Sequence, residues 1–276
     1  MFKKKLMKCS AAALALSLAI CAASCGNTAV AEKNGSDSEA VTEETVLEAA
    51  DYEEDTDETV AVEENVEYTE EIVCSEDGAH AIEADDGEKT VENVHILKTG
   101  NSDLGDEADF YGDNSAVYAT DGASLTLENV SIETDGKHAN AVFSYGEGTI
   151  VTISDSEIET SGDCSGGLMT TGGGTMIAQN LTIHTTGNSS AAIRSDRGGG
   201  TVNVTNGSYI TDGMGSPVIY STADITVSNA TLTSNLSEGV CIEGLNSITL
   251  NNCDLTANNT KCNGNATFLD TIMIYQ

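Results

Sequence analysis

Two neighbouring stretches decide the fold of this chain: MIAQNLTI at residues 176–183 and VNVTNGSY at residues 202–209. Each stretch begins with two alternating apolar residues, reaches Asn180 or Asn206 two positions later, and returns to an apolar or aromatic residue after three more. Alternation with a period of two places one row of side chains on the buried face of a strand. Asn tolerates the left-handed backbone conformation of a sharp bend. Each stretch therefore predicts a strand, a bend and a second strand.

The same pattern recurs seven times, at intervals of about 25 residues. The bend residues are Asn93, Asn129, Asp155, Asn180, Asn206, Asn229 and Asn252. A further apolar residue precedes each repeat and is predicted to point inward from a first strand: Ile82, Val117, Val142, Leu168, Ile193, Val218 and Val240. One bend residue kept in register through seven repeats indicates turns that stack on one another.

Three short strands and a looser return loop in every repeat are typical of a right-handed parallel β-helix. We therefore predict an all-β solenoid of about seven rungs over residues 74–276. A β-sandwich fits poorly, because its strands do not repeat one turn residue at a fixed interval. We also expect the C-terminus to be truncated, since a β-helix that stops within a rung leaves an unpaired apolar edge.

The N-terminal sequence predicts that the protein is exported from the cytoplasm. Residues 1–24 combine a basic start, an apolar stretch too short to span a bilayer and a small-residue cleavage region, which together indicate a signal peptide. The cleavage region ends at Cys25 and resembles a bacterial lipobox, although Ala22 stands where Leu is usual. This resemblance implies a lipid anchor at Cys25 and a membrane lipoprotein that faces the outside. Secretion without an anchor is the alternative.

Residues 25–73 are strongly acidic and show no apolar period, so they are predicted to form a disordered linker. The whole chain has 45 acidic and 11 basic residues and a formal net charge of −34. Because nucleic-acid binding needs a basic surface, we exclude nucleic acid as a partner.

Four stretches resemble a family of exported, adhesin-like β-helix proteins of gut-type bacteria within the pectin-lyase-like superfamily. They are Asp109–Gly112, Ala192–Gly200, Ser216–Thr222 and Ile272–Gln276. The resemblance covers residues 79–276, and it implies a carbohydrate-binding protein whose partner is a polysaccharide or a glycan of a host or bacterial surface. Two alternatives stay open: a polysaccharide lyase or hydrolase, and a purely structural spacer.

Catalysis on polysaccharide needs clustered carboxylates, or calcium-binding acids beside a basic residue that removes a proton. In folds of this kind the substrate groove follows the outward row of the first strand. That row is predicted as Glu83, Tyr118, Phe143, Met169, Arg194, Ile219 and Cys241. It contains no pair of carboxylates, which argues against an enzyme and predicts no catalytic residues.

The same outward row of the first strand favours a function in carbohydrate binding. We expect Tyr118, Phe143 and Met169 to form an exposed apolar stripe for sugar rings, while Arg194 and Arg197 hold an acidic group. The alternative is that the loop at residues 101–114 covers this stripe, and that the two arginines neutralise nearby carboxylates.

The loop at residues 101–114 contains five acids that are weak candidates for calcium ligands: Asp103, Asp106, Glu107, Asp109 and Asp113. A solvated acidic loop is the simpler interpretation, and no cofactor is predicted. After the predicted signal peptide and Cys25, an odd set of five cysteines remains: Cys74, Cys164, Cys241, Cys253 and Cys262. This set argues against a fixed disulfide framework, and no zinc-binding spacing is present.

Overall fold

The computed structural model describes residues 68–259 and 270–275, and the regular secondary structure of these residues is almost entirely β-strand, joined by turns and bends. One short helix, α1 (Asp106–Tyr111), lies in the loop between the first two repeats. The strands in chain order are β1 (Glu70–Cys74), β2 (Ile82–Ala84), β3 (Glu88–Glu92), β4 (Val94–Lys98), β5 (Val117–Ala119), β6 (Ser124–Glu128), β7 (Ser131–Thr134), β8 (Val142–Tyr145), β9 (Ile150–Thr160), β10 (Leu168–Thr171), β11 (Gly174–Thr185), β12 (Ile193–Ser195), β13 (Gly200–Thr211), β14 (Ile219–Ser221), β15 (Asp224–Ser228), β16 (Thr231–Ser234), β17 (Val240–Glu243), β18 (Ser247–Asn251), β19 (Asp254–Ala257) and β20 (Ile272–Tyr275).

The strands form two parallel sheets, and each strand pairs with its counterpart one repeat away. Sheet A has twelve strands and is built from the pattern on either side of the bend residue. Sheet B has eight strands in the order β2-β5-β8-β10-β12-β14-β17-β20. The predicted β-helix is confirmed, with eight turns of sheet B where the sequence predicted about seven.

All seven predicted bend residues adopt the left-handed conformation, with φ between 51° and 62°. Their side chains also bond to one another along the solenoid: Asn129 donates to Asn93 (2.6 Å), Asn180 to Asp155 (2.7 Å) and Asn206 to Asn180 (2.8 Å). We call these seven residues the Asn ladder. In β9, β11 and β13 the strand continues through the bend, whereas elsewhere the bend separates two strands.

A second set of left-handed residues stacks at the turn that leads into sheet B. It comprises His138 (φ 57°), Cys164 (57°), Ser189 (55°) and Gly215 (64°), which stand on four consecutive turns. Their alignment follows from the backbone bonds of the turn, in which His138 donates to the Asp163 carbonyl and Cys164 to the Asn188 carbonyl. We call this set the second ladder.

The core fills the space between the two sheets with apolar side chains that stack in rows. The inward row of sheet B includes Val117, Val142 and Leu168, all buried, and the facing rows of sheet A include Leu125 and Ile132. Each such side chain contributes about 1.5–3 kcal/mol by its burial. Repetition of these rows holds the solenoid together, because each turn closes only against its neighbours.

The register of sheet B corrects one sequence assignment. Ile219 pairs with Ile193 and Val240, and Tyr220 pairs with Arg194. The inward residue of this turn is therefore Ile219, where the sequence predicted Val218, and the outward residue is Tyr220 instead of Ile219. The repeat here is one residue longer, and a shift of one position moves a strand residue to the other face.

The N-terminal predictions fall largely outside the described residues. The signal peptide at 1–24, Cys25 and all of the linker before residue 68 lie there, so the structure leaves them untested. β1 begins at Glu70, four positions before the predicted boundary at residue 74, and pairs with β4. Among the described residues, no helix has the length and apolar character needed to cross a membrane.

Candidate functional site

The candidate site lies on the outer face of sheet B, where the outward side chains of successive strands form one row. Register pairs place Tyr118 beside Phe143, Phe143 beside Met169, Met169 beside Arg194 and Arg194 beside Tyr220. The sequence predicted the first four members of this row. Tyr220 was missed because the longer repeat hid its orientation.

The helix α1 covers the first half of this row. Phe143 and Met169 are fully buried, and Tyr118 is partly buried between Phe143 and the His80 ring, which stacks on it at 4.5 Å. Gly112 ends α1 so close to the row that a side chain there would collide with the Tyr118 ring. The prediction that Phe143 and Met169 are exposed is therefore wrong, because the loop at residues 101–114 shields their apolar surface from water.

Contacts from later turns hold α1 in place. Thr171 donates its hydroxyl to the carbonyl of Phe110 at 2.8 Å, and the guanidinium of Arg197 lies 4.1 Å from the centre of the Phe110 ring. A cation over an aromatic ring at such a distance stabilises the pair by about 0.5–1 kcal/mol at an exposed site. In the structure, Arg197 therefore packs against the covering helix.

Beneath α1 lies a buried ionic cluster centred on Asp109. Arg194 Nη2 lies 3.3 Å from Asp109 Oδ2 and 3.0 Å from Asp196 Oδ2, so one guanidinium joins the helix to its own strand. Burial alone would raise the pKa of Asp109, but the charge of Arg194 and the contacts of His138 and Asn140 bring this pKa below its usual value. The expected alternative was that Arg194 and Arg197 neutralise Asp196 and Asp212. The structure shows the contact of Arg194 with Asp196, whereas Arg197 packs on Phe110 and Asp212 contacts His184.

Two residues of the second ladder reach the same cluster. His138 Nδ1 lies 3.2 Å from Asp109 Oδ1, and both side chains are about 3–4% exposed. The side chains of Asp109, His138 and Cys164 each bring one atom within 4.8 Å of the other two. Burial and the charge of Asp109 raise the pKa of the Cys164 thiol, and a protonated thiol is a poor nucleophile. The cluster therefore does not resemble a cysteine-histidine catalytic pair.

Beyond the end of α1, Arg194 and Tyr220 border a depression of about 210 Å³ on the described part of the chain, which we call the Tyr220 hollow. Its lining residues are Ser189, Ala191, Arg194, Gly215, Pro217 and Tyr220. The Tyr220 hydroxyl donates to Glu243, and the Arg194 guanidinium lies 6.0 Å from the Tyr220 ring centre. Arg194 Nη1 is buried and makes no hydrogen bond within the described residues. The hollow thus offers a fixed aromatic ring beside a guanidinium group.

A second depression, of about 310 Å³, lies on the outer face of sheet A and is more acidic. Register pairs align Glu133 with Glu159 and Glu159 with His184 on three successive strands. A hydrogen bond from Asn235 lowers the pKa of Asp212 most, and the contact of His184 with Asp212 at 2.7 Å lowers it further. The pair of Glu133 and Glu159 was not predicted, because the groove was expected along the outward row of the first strand, which is in sheet B.

The five acids of the loop at residues 101–114 lie in different surroundings. Asp109 turns inward to Arg194, and Asp113 accepts a hydrogen bond from Ser102, whereas Asp103, Asp106 and Glu107 are exposed. Within the described residues, Asp109 is the loop acid that lies close to other side chains able to bind a metal ion. These side chains are His138 and Cys164, which lie outside the loop. Calcium binding by the loop stays a prediction.

Comparison with known proteins gave one family. A family model described as "right handed beta helix region" matches residues 80–265, which is more than half of the chain. A search of the curated proteins and a search of the solved structures each found no match. The match contains the Asn ladder, every residue of the ionic cluster and all strands except β1 and β20.

Proposed function

We propose that this chain, which belongs to the right-handed β-helix family, binds polysaccharide at the Tyr220 hollow and serves as a carbohydrate-binding, adhesin-like protein. The observation that carries this proposal is the Tyr220 ring beside Arg194, in the part of the outward row of sheet B that borders the hollow. Sugar rings present apolar CH faces that pack on aromatic rings, and their hydroxyl groups need fixed hydrogen-bond partners.

The size of the hollow supports a short binding subsite. Its volume of about 210 Å³ is smaller than the range of pockets that enclose drug-sized ligands. A single sugar unit of a longer chain fits a depression of this kind, with the rest of the polymer running over the surface. Weak subsites of this type gain affinity when many copies act together, as on a cell surface.

The charges favour a neutral polysaccharide. Arg194 is already shared between Asp109 and Asp196, so its charge is balanced before any ligand arrives. The protein as a whole carries a formal net charge of −34, which repels polyanions. We therefore replace the expected acidic glycan with an uncharged one, which packs on the Tyr220 ring.

An enzyme is the second candidate, and one observation favours it. Glu133 and Glu159 are register partners on the outer face of sheet A, and His184 follows in the same row. Pairs of carboxylates at suitable separation catalyse glycoside hydrolysis. If this pair were catalytic, the protein would release reducing sugar, and a Glu159→Gln variant would lose that activity.

The test compares glycan retention by the protein and two tyrosine variants. Tyr220→Ala should weaken retention of a neutral polysaccharide such as xylan or mannan by roughly fivefold in Kd, equivalent to about 1 kcal/mol. Tyr111→Ala is the matched control, because Tyr111 is an exposed tyrosine on α1 outside the hollow. Affinity electrophoresis in gels that contain each polysaccharide measures the effect.

Three results would contradict this proposal. Equal retention of xylan or mannan by the protein and its Tyr220→Ala variant would show that the Tyr220 hollow is not the binding site. Stronger retention of polygalacturonate than of neutral polysaccharides would contradict the charge argument. Release of sugar products by the unmodified protein would support the enzyme instead.

The proposed location is the outer side of the membrane, through the lipid predicted at Cys25. Neither Cys25 nor the acidic linker up to residue 67 is among the described residues, so the support comes from the sequence alone. Membrane fractionation of a Cys25→Ala variant tests it, since a protein without the lipid should be released.

A further inference from the structure

We propose that Asp109, His138 and Cys164 form a zinc-binding site beneath α1. One ligand atom from each residue lies within 4.8 Å of the other two. Zinc in proteins is bound by carboxylate oxygen, imidazole nitrogen and thiolate sulfur, most often in a tetrahedral arrangement. The three residues supply one of each, and a fourth position remains for water.

The distances suit this metal. Tetrahedral zinc with bonds of about 2.0–2.1 Å to nitrogen and oxygen places those two atoms roughly 3.3 Å apart. His138 Nδ1 and Asp109 Oδ1 are 3.2 Å apart. A thiolate bonded at about 2.3 Å would lie roughly 3.6 Å from the other ligands, so the Cys164 sulfur moves by little more than about 1 Å.

An unpaired nitrogen gives independent support. His138 Nδ1 is buried and makes no hydrogen bond within the described part of the chain, although it lies 3.2 Å from a carboxylate oxygen. Leaving a buried polar atom unpaired costs about 1–3 kcal/mol, so such atoms usually have a partner. A metal ion between His138 and Asp109 would provide that partner.

The charges of the cluster also call for a cation. Asp109 and Asp196 carry two negative charges against one positive charge on Arg194, which leaves an excess of one buried negative charge. A zinc ion bound to a Cys164 thiolate adds a net charge of +1 and makes the cluster neutral. Buried charges that are balanced avoid the large penalty of uncompensated ones.

The surroundings orient the ligands without blocking them. Arg194 contacts Oδ2 of Asp109, while Oδ1 faces His138 and accepts a hydrogen bond from Asn140 at 3.1 Å. Partners that fix a metal-binding carboxylate in this way typically increase metal affinity. Cys164 is partly exposed, and this side gives the ion a path from solvent.

The experiment measures zinc uptake by the full chain in the presence of excess Ca²⁺, which occupies sites made of oxygen alone. We expect one equivalent of zinc after dialysis, measured by mass spectrometry of the metal. His138→Asn and Cys164→Ser should each weaken binding at least tenfold. With Co²⁺ as a probe, the thiolate-to-cobalt absorption band should appear in the unmodified protein and be lost in Cys164→Ser.

Two matched controls separate the site from general effects of the substitutions. His184→Asn removes another histidine beside a carboxylate, and Cys253→Ser removes another thiol, so both variants should keep the equivalent of zinc. Cys164→Gly tests the site with a residue that suits the left-handed turn, as Gly215 does two turns later. It should fold and fail to bind zinc.

The proposal is overturned if the unmodified protein takes up no zinc. It is equally overturned if His138→Asn and Cys164→Ser retain the same zinc affinity as the controls. Neither result would affect the glycan proposal, because Tyr220 is not a proposed zinc ligand.

Discussion

The Asn ladder and the second ladder have the same backbone conformation and different chemistry. In both, one residue per turn adopts a left-handed φ between 51° and 64°. The Asn ladder fills this position with Asn or Asp seven times, and its side chains bond to one another between turns. The second ladder places histidine, cysteine, serine and glycine there on successive turns.

This difference shows what each ladder does. Repetition of one residue is expected where the side chain itself stabilises the stack, because every turn gains from the same bond. Variation is expected where the backbone alone forms the turn and the side chain is available for another role. His138 and Cys164 face the cluster under α1, whereas Ser189 and Gly215 border the Tyr220 hollow. The variable ladder thus adjoins both proposed sites.

The largest loss of stability is expected when Arg194 is removed from the ionic cluster beside the second ladder. Arg194→Met leaves Asp109 buried without its guanidinium, and loss of one partner of a buried ion pair costs about 3–5 kcal/mol. Arg197→Met is the matched control, since Arg197 is exposed and packs on the Phe110 ring, where it contributes about 0.5–1 kcal/mol. Denaturant unfolding measures both. Equal losses would show that the cluster does not hold α1.

The pH at which acid begins to destabilise the protein should depend on the same ionic cluster. The pKa of Asp109 is lowered on folding from an ordinary value of 3.8, so its contribution to stability is present above that value. This contribution is lost as the pH falls through the lower pKa of the folded state. Arg194→Met removes the main favourable charge, and the variant should therefore begin to lose stability at a higher pH than the unmodified protein.

A smaller effect is expected within the Asn ladder. Asn180→Ala removes the bond donated to Asp155 and the bond accepted from Asn206, and puts Ala in a left-handed conformation. We expect a loss of about 1–2 kcal/mol. Asn203→Ala is the control, because Asn203 is an exposed residue in the extended part of β13. Melting temperatures are measured for both variants. Identical values would show that the Asn ladder does not stabilise the protein.

The smallest change in stability is expected when one residue of each ladder is replaced by glycine. Ser189→Gly relieves a left-handed serine whose side chain is exposed, so it should stabilise the protein by less than about 1 kcal/mol. Asn229→Gly keeps the same backbone but loses the bond from Asn252 at 2.9 Å, and should destabilise the protein by about 0.5 kcal/mol. Effects of the same sign in the two variants would contradict the distinction between the ladders.

Part of the site could be predicted from the sequence and part could not. The repeat correctly placed Tyr118, Phe143, Met169 and Arg194 in one outward row of sheet B. Their exposure was predicted wrongly, because periodicity gives the direction of a side chain and not what lies over it. Tyr220 was missed because one extra residue in its repeat shifted the alternation.

The sequence by itself determined the solenoid, because each turn carries its own alternation, bend residue and inward apolar side chain. These signals act over a few residues and recur, so they can be recognised without knowledge of the fold. Only the tertiary structure decided the ionic cluster, whose members come from three different turns and from an inserted helix. Asp109, His138, Cys164 and Arg194 have no shared spacing in the sequence. Stacking of the turns brings them together, since neighbours across a parallel sheet are about one whole repeat apart in the chain.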